Sequence, residues 1–240
     1  PLMAKYPPCI HAAQYPTAVR ARRLPGGQGL SIDAQLRTAH HHKLLDLTAP
    51  AQPIVAVTDD AALGTIVRMV QWPSYFNAAL ERIRRDPRML DIVAPLIGSD
   101  LKQIINQLHW KPPGAAMTEF GFHQDSRSRR PREAFRELAT SYVQTGIAID
   151  PHRAENGAMT VYPGSHRLGE ISFDASRRTM DVAIDDRDLE VLGLDPAKTV
   201  SLTLAPGDVA LWGVHTLHGS GANTTDVDRR FYLNGYDADI

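Results

Sequence analysis

Short apolar runs separated by turn residues fill the second half of the chain. Ile104-Ile105-Asn106-Gln107-Leu108-His109-Trp110 has strand composition, and Lys111-Pro112-Pro113-Gly114 ends it. The pattern repeats at residues 141–150 (Tyr142, Val143, Ile147, Ile149), 159–162, 200–204, 209–212 and 230–233. Turn residues separate the runs at Asn156-Gly157, Pro163-Gly164-Ser165-His166 and Pro206-Gly207-Asp208. Short strands at this spacing predict an all-β sandwich or barrel for residues 101–240.

The first hundred residues read differently. Residues 1–30 carry Pro7-Pro8, Pro16, Pro25-Gly26-Gly27 and Gly29, which predicts an irregular arm. Residues 31–47 have helical composition anchored by Leu36, Leu44, Leu45 and Leu47. Residues 61–70 and 75–85 predict two helices flanking Trp72-Pro73, and 89–97 a third ended by Gly98. The expected organisation is one domain over 1–240, with a helical and loop layer over 1–100 and a β core over 101–240. The class is mainly β, or α+β by content.

Composition narrows the function classes. Of 240 residues 43% are hydrophobic and 22% charged, with a net charge of −1. That balance gives no reason to expect a nucleic-acid partner. Cys9 is the only cysteine, so neither an intramolecular disulfide nor a thiolate metal cluster can form. No run of about 18 apolar residues predicts a membrane span. Residues 1–10 lack a signal-peptide pattern, and the expected location is cytoplasmic.

The candidate chemistry starts at His123-Gln124-Asp125. Two residues apart on a strand share a face, so the pair would offer one imidazole and one hard oxygen to the same point. Those are two of the three ligands of a 2-His-1-carboxylate site for non-haem Fe(II). The third could come from His152, His166, His215 or His218. His215 and His218 follow an apolar strand and are three apart, so at most one faces the site if the strand is regular. The segment His218-Gly219-Ser220-Gly221-Ala222-Asn223 allows close backbone approach around a histidine. His40-His41-His42 points three ways on a helix and makes no local site. Trp212 and Tyr142 read as core, and His109 as a satisfied polar residue of a strand.

His123-Gln124-Asp125, Asn156-Gly157, Pro163-Gly164-Ser165-His166, Pro206-Gly207-Asp208, His218-Gly219-Ser220-Gly221 with Asn223, and Arg229 occur in that order. The order and spacing resemble the phytanoyl-CoA dioxygenase family of Fe(II)- and 2-oxoglutarate-dependent oxygenases, over roughly residues 100–235. The resemblance implies a double-stranded β-helix (jelly-roll, cupin-like) core. It implies His123, Asp125 and His218 as iron ligands, with no catalytic side chain beyond the metal centre. Arg229, eleven residues after His218, would take the distal carboxylate of 2-oxoglutarate, a role that suits the planar guanidinium fork. Arg230 ranks second, since it should face the other way. Ser220, Gln107 and Thr145 are the further cosubstrate candidates.

The implied reaction couples oxidative decarboxylation of 2-oxoglutarate by O2 to hydroxylation of an unactivated C–H bond in a small molecule, with release of succinate and CO2. Related halogenases carry a small residue in place of the carboxylate, so Asp125 argues against halogenation. Arg127, Arg129, Arg130, Arg132 and Arg136 follow the motif. They read as a solvated face or, more sharply, as a lid for an anionic substrate, with Arg127 and Arg129 nearest the motif. Two alternatives stay open: a cupin-like metalloenzyme that does not use 2-oxoglutarate, and a non-catalytic binding protein on the same fold.

Overall fold

The computed structural model describes residues 54–238, except 130, 136 and 172–185. Cys9, the predicted arm at 1–30 and the predicted helix at 31–47 with His40-His41-His42 lie outside the described residues, as do Arg130 and Arg136.

Among the described residues, ten strands form two antiparallel sheets. The larger has the order β1 (Ile54–Asp60), β2 (Gly64–Gln71), β3 (Lys102–Lys111), β10 (Arg229–Asp237), β5 (Tyr142–Ala148), β8 (Val209–Trp212). The smaller has β4 (Phe120–His123), β9 (His218–Ser220), β6 (Met159–Val161), β7 (Val200–Ser201). Sequence neighbours mostly lie in different sheets or positions, which is the winding of a double-stranded β-helix.

Alternation along β10 sorts its two faces. Phe231 packs with Met159 of the small sheet and Trp212 of β8, with Leu233 beside them, so this face looks between the sheets. Tyr232 packs with Leu80 of α1 (Ala78–Arg84), Met89 of α2 (Pro87–Ile97) and Ile147. Tyr236 joins Leu90 and Val93 of α2. The helices therefore cover the outer face of the large sheet and leave the inner face to the cleft. Gly146 is required at its place, because a Cβ there would enter the Phe231 ring.

Asn77 and Asp86 cap the two helices, accepting N–H bonds from Leu80 and Arg88 respectively. The helices thus fall near residues 75–85 and 89–97, where their apolar spacing puts them. The helix expected at 61–70 is instead a strand, β2, paired with β1 as a hairpin. Its residues Thr65, Ile66, Val67 and Val70 are β-branched, and Asp60 accepts the Ala62 and Leu63 N–H groups in the turn before Gly64 at φ 73°. The alanines at 61 and 62 only mimic a helix start. The described part of the N-terminal layer is thus sheet as well as helix, because β1 and β2 extend the large sheet past β3.

Candidate metal centre

His123 and His218 are cross-strand partners on β4 and β9, and their ring centroids lie 4.4 Å apart. The register also pairs Phe120 with Ser220. Three steps on β4 therefore match two on β9, which is a bulge at Gly121-Phe122. Ser220 and His218 share a face by alternation, so their partners Phe120 and His123 share it too, although they are three apart. Gly219 admits the close approach, since a Cβ there would lie 2.9 Å from the Phe120 carbonyl oxygen.

Asp125 does not lie on the strand. β4 ends at His123, and Asp125 opens a 3-10 turn over Asp125–Ser128. The expected strand parity of the pair is thus replaced by a turn, yet the carboxylate still reaches the histidines. Its Oδ1 lies 4.0 Å from His218 Nε2, and its Oδ2 accepts a 3.0 Å bond from Trp212 Nε1. His215 and His218 are not on one strand either. β8 stops at Trp212, and a turn intervenes before β9. His215 lies in that turn, where its carbonyl accepts from Gln124.

His123, Asp125 and His218 each offer one ligand atom, all within 4.8 Å of one another. The donor set fits a metal by a further test. His123 Nδ1 meets the Gly121 carbonyl at 2.8 Å, and His218 Nδ1 meets the Thr216 carbonyl at 2.8 Å. A carbonyl only accepts, so each Nδ1 carries a proton, and Nε2 is the ring atom left for a metal. Burial, then the neighbouring His218, pushes His123 down to about 4, so that imidazole is neutral at pH 7. Burial pushes the Asp125 carboxyl up, but His218, Arg129, His123 and the Trp212 indole together hold it below the usual carboxylate value.

Gln124, between the two ligands, is fully buried. Its amide donates to the carbonyls of Gly169 and His215 and accepts from Ile171 N–H. It ties the Asp125 turn to two loops. Ser165 accepts the Leu217 N–H at 2.9 Å, so the Pro163-Gly164-Ser165-His166 turn braces the residue beside His218. Neither His152 nor His166 joins the triad. His152 is buried edge-on against Phe231, with Nε2 donating to the Arg230 carbonyl, and His166 is exposed.

On the same inner face a buried group of basic side chains gathers. Arg229 pairs with Lys111 across β10 and β3. Its Nε and Nη2 both donate to the Gly157 carbonyl. Lys111 Nζ donates to Ser220 Oγ at 2.8 Å and to the carbonyls of Ser220 and Gly221. Phe120 packs between Lys111 and Arg68, whose charged ends lie 5.5 and 4.8 Å from its ring centroid. Burial lowers Arg229 to about 9; burial, then Arg229 and Arg68, lowers Lys111 to about 5. Among the described residues, no carboxylate forms an ion pair with Arg229 or Lys111. Gly157 sits at φ 74°, and a Cβ there would strike the Gly221 carbonyl, so glycine is needed where Arg229 is held.

Arg230 faces away and forms a two-pronged pair with Asp150. Asp228 accepts from Trp110 rather than pairing with Arg229. Gln107 lies on the inner face of β3 with its Oε1 2.9 Å from His109 Nε2. Burial pushes His109 down to about 3, with Arg229, Arg68, Lys111 and His123 adding to the shift, and its ring centroid lies 5.2 Å from that of Phe120. Thr145 is not brought to the site. It pairs with Leu211 and Asn234, the face opposite Trp212, and its hydroxyl donates to the Asn234 carbonyl. Strand parity with Leu233 and Trp212 would have excluded it. Lys111 and Trp212 are the site residues that sequence reading missed. The alternation Gln107, His109, Lys111 was the available signal for the first.

With this geometry in view, the comparisons are concordant. The phytanoyl-CoA dioxygenase family model matches residues 53–231. The chain is 30% identical over 183 residues to a probable alpha-ketoglutarate-dependent hypophosphite dioxygenase of Stutzerimonas stutzeri, covering 72% of this chain and 58% of that protein. The chain spans between about half and three fifths of the length of the first curated relatives it matches. Its fold superposes on EctD from S. alaskensis with 2-oxoglutarate and 5-hydroxyectoine at a TM-score of 0.58, with 22% identity, 86% of this chain and 67% of that one. It also superposes on the epimerase SnoN in complex with Fe3+, alpha ketoglutarate and nogalamycin RO at 0.58, with 22% identity, 85% of this chain and 74% of that one.

Proposed function

This chain belongs to the phytanoyl-CoA dioxygenase family, and we propose on that footing that it is a non-haem Fe(II)- and 2-oxoglutarate-dependent dioxygenase that hydroxylates a C–H bond of a small molecule. The observation that carries the reading is the His123–Asp125–His218 set, with both imidazoles braced by backbone carbonyls, on one wall with buried Arg229 and Lys111. Hypophosphite and ectoine, named for the relatives, are small molecules, which supports that substrate size.

His123 Nε2, His218 Nε2 and Asp125 Oδ1 would hold the iron on one face. Bound there with 2-oxoglutarate and O2, iron supplies an oxidant for C–H hydroxylation, with succinate and CO2 released. Trp212 orients Asp125 by taking Oδ2, which leaves Oδ1 toward His218. Arg229 and Lys111 would receive the distal carboxylate of the cosubstrate, and Ser220, whose oxygen accepts from Lys111, has its own proton to donate to it. Gln107 and His109 would lie beside them on the inner face of β3. The apolar packing of Phe231, Trp212 and Met159 keeps bulk water from that inner face. No helix among the described residues is long and apolar enough to cross a membrane; with the single cysteine, this supports a cytoplasmic location as part of the proposal.

An anaerobic titration tests the reading. Fe(II) followed by 2-oxoglutarate is expected to give a visible charge-transfer band, and admission of air to give succinate. Fe(II) binding with neither band nor succinate would favour a metalloenzyme that does not use 2-oxoglutarate. No Fe(II) binding at all would remove the enzyme reading and leave a binding protein.

A further inference from the structure

The donor set comes from two segments far apart in the chain, and three bonds join them. Trp212 Nε1 donates to Asp125 Oδ2 at 3.0 Å, the Ser126 N–H to the Val214 carbonyl at 3.2 Å, and Gln124 Nε2 to the His215 carbonyl at 2.7 Å. Of the three donors, Gln124 also reaches a third segment. It donates to the Gly169 carbonyl at 2.9 Å and accepts the Ile171 N–H at 2.8 Å. Gln124 is fully buried, although His166, Arg167, Leu168 and Glu170 of that third segment are exposed. The arginines after the Asp125 turn add little to this tie. Arg127 lies half-buried in the turn, and Arg129 donates to the Tyr142 hydroxyl. Arg132 does reach Glu170, but that pair is partly exposed and solvent-screened.

A primary amide has two hydrogens to donate and an oxygen to accept. Here both hydrogens and the oxygen are committed to backbone groups. A methionine of similar length would leave two carbonyls and one N–H without that partner. The place of the amide in the chain gives it a second effect. Gln124 stands between His123, the last residue of β4, and Asp125, the first of the 3-10 turn. The loop it grips at His215 carries the Thr216 carbonyl that braces His218 Nδ1. The separation of Asp125 from His218 is thus set in part by the reach of Gln124, and the same reach fixes Gly169 and Ile171.

We propose that Gln124 is a positioning residue that couples occupancy of the metal centre to the packing of residues 169–171. Closing the donor set on an ion would tighten the Gln124 bonds to Gly169 and Ile171, and opening of that segment would weaken the hold on the ion. Linkage makes the two effects equal in size. An empty centre would then leave residues 169–171 more open than a filled one. The proposal rests on the metal centre of the dioxygenase reading and makes no use of 2-oxoglutarate.

The test uses Zn(II) alone, which takes the same nitrogen and oxygen donors and is silent to NMR. Amide hydrogen exchange is read at Ile171, whose N–H meets Gln124, and at Gly98, whose N–H caps the end of α2 on the Ala94 carbonyl. In unmutated protein, saturating zinc should slow exchange at Ile171 by about tenfold more than at Gly98. Calorimetry on folded Q124M should show zinc affinity lowered by ~10-fold, the size expected for an outer partner. W212F should also weaken zinc, through Asp125, yet keep the slowing at Ile171 once zinc is saturating. If Q124M does not fold, the exchange data on unmutated protein and W212F decide alone. Zinc binding with no change at Ile171, or unaltered zinc affinity in folded Q124M, overturns the proposal. So does equal slowing at Ile171 and Gly98, since zinc would then act only by stabilising the whole fold. Failure of unmutated protein to bind zinc would remove the metal centre and this coupling with it. Coupling without succinate formation would sustain the proposal and remove the dioxygenase reading alone.

Discussion

Arg229 and Arg129 are two buried guanidiniums in the same sheet-bound region, built by different means. Arg229 is the first residue of a nine-residue central strand and is paired in register with Lys111. Its fork rests on a backbone carbonyl at a position where only glycine fits. Arg129 stands just past a 3-10 turn and is held by the side chains of Tyr142 and Gln144. The first position is made by the sheet itself, while the second is made by neighbouring side chains. The sheet-built position can change only with the fold, whereas the other can change residue by residue.

The largest effect is expected at the metal ligands. His123→Ala or Asp125→Ala should reduce turnover to background and lower bound iron by more than the ~10–100-fold that loss of an outer partner costs. Iron assay after gel filtration checks this, and near-normal content would break the comparison by moving the metal elsewhere. Next, Arg229→Ala should raise the half-saturating 2-oxoglutarate concentration by about 30-fold or more, as for removal of one partner of a buried charge pair. Arg229→Lys should recover little of it, because lysine lacks the fork. An unchanged requirement would mean that the sheet-built position does not hold the cosubstrate.

A smaller loss is expected from Trp212→Phe, which keeps the packing against Phe231 but removes the bond to Asp125. Iron affinity should fall by ~10-fold while the 2-oxoglutarate requirement stays near normal. Movement of both together would point to a general repacking of the wall. The proton balance sharpens the comparison further. Lys111 is held to about 5 by burial, then by Arg229 and Arg68. A carboxylate placed beside it favours the ammonium form and raises that value. Binding 2-oxoglutarate at pH 7 should therefore take up about one proton, and affinity should fall as pH rises through the raised value. Calorimetry in two buffers of different ionisation enthalpy reads the uptake, and a value of zero would mean that Lys111 is already charged. Smallest of all, Arg132→Gln should change stability by no more than about 0.5 kcal/mol, since its partly exposed pair with Glu170 is solvent-screened. Thermal unfolding gives that number.

Much of this was readable from residues. The strands at 102–111, 142–148, 209–212 and 229–237 are continuous apolar or alternating runs, and local composition decides them. The two helices are legible in their apolar spacing, Pro73 and Gly98, whereas the caps Asn77 and Asp86 come from the structure. The β1–β2 hairpin was hidden because Ala61-Ala62-Leu63 favours a helix locally, while pairing with β3 settles the matter at long range. The histidines and Asp125 are brought together, but by a bulge and a turn rather than by the strand parity that first linked them. Thr145 failed for a related reason: parity within β5 sends it to the helix-covered face. Lys111 looked like the polar end of a strand before Pro112-Pro113. Only the register against Arg229 reveals it as an interior amine. Trp212 reads as core in any sequence, since nothing local says that its indole nitrogen has a carboxylate to meet.

Each histidine is braced by the carbonyl two residues before it in its own strand region, Gly121 for His123 and Thr216 for His218. These contacts form with the chain itself and wait for no ion. The ligand atoms are therefore aimed in advance, and the aim carries no preference among divalent ions of similar size. Nitrogen and oxygen donors bind cobalt, nickel and copper more tightly than Fe(II). Identity at this centre is then a matter of cellular supply at the time of filling. Mismetallation with nickel or zinc would silence the protein while leaving it folded, and the metal found after purification would report on the growth medium as much as on the sequence.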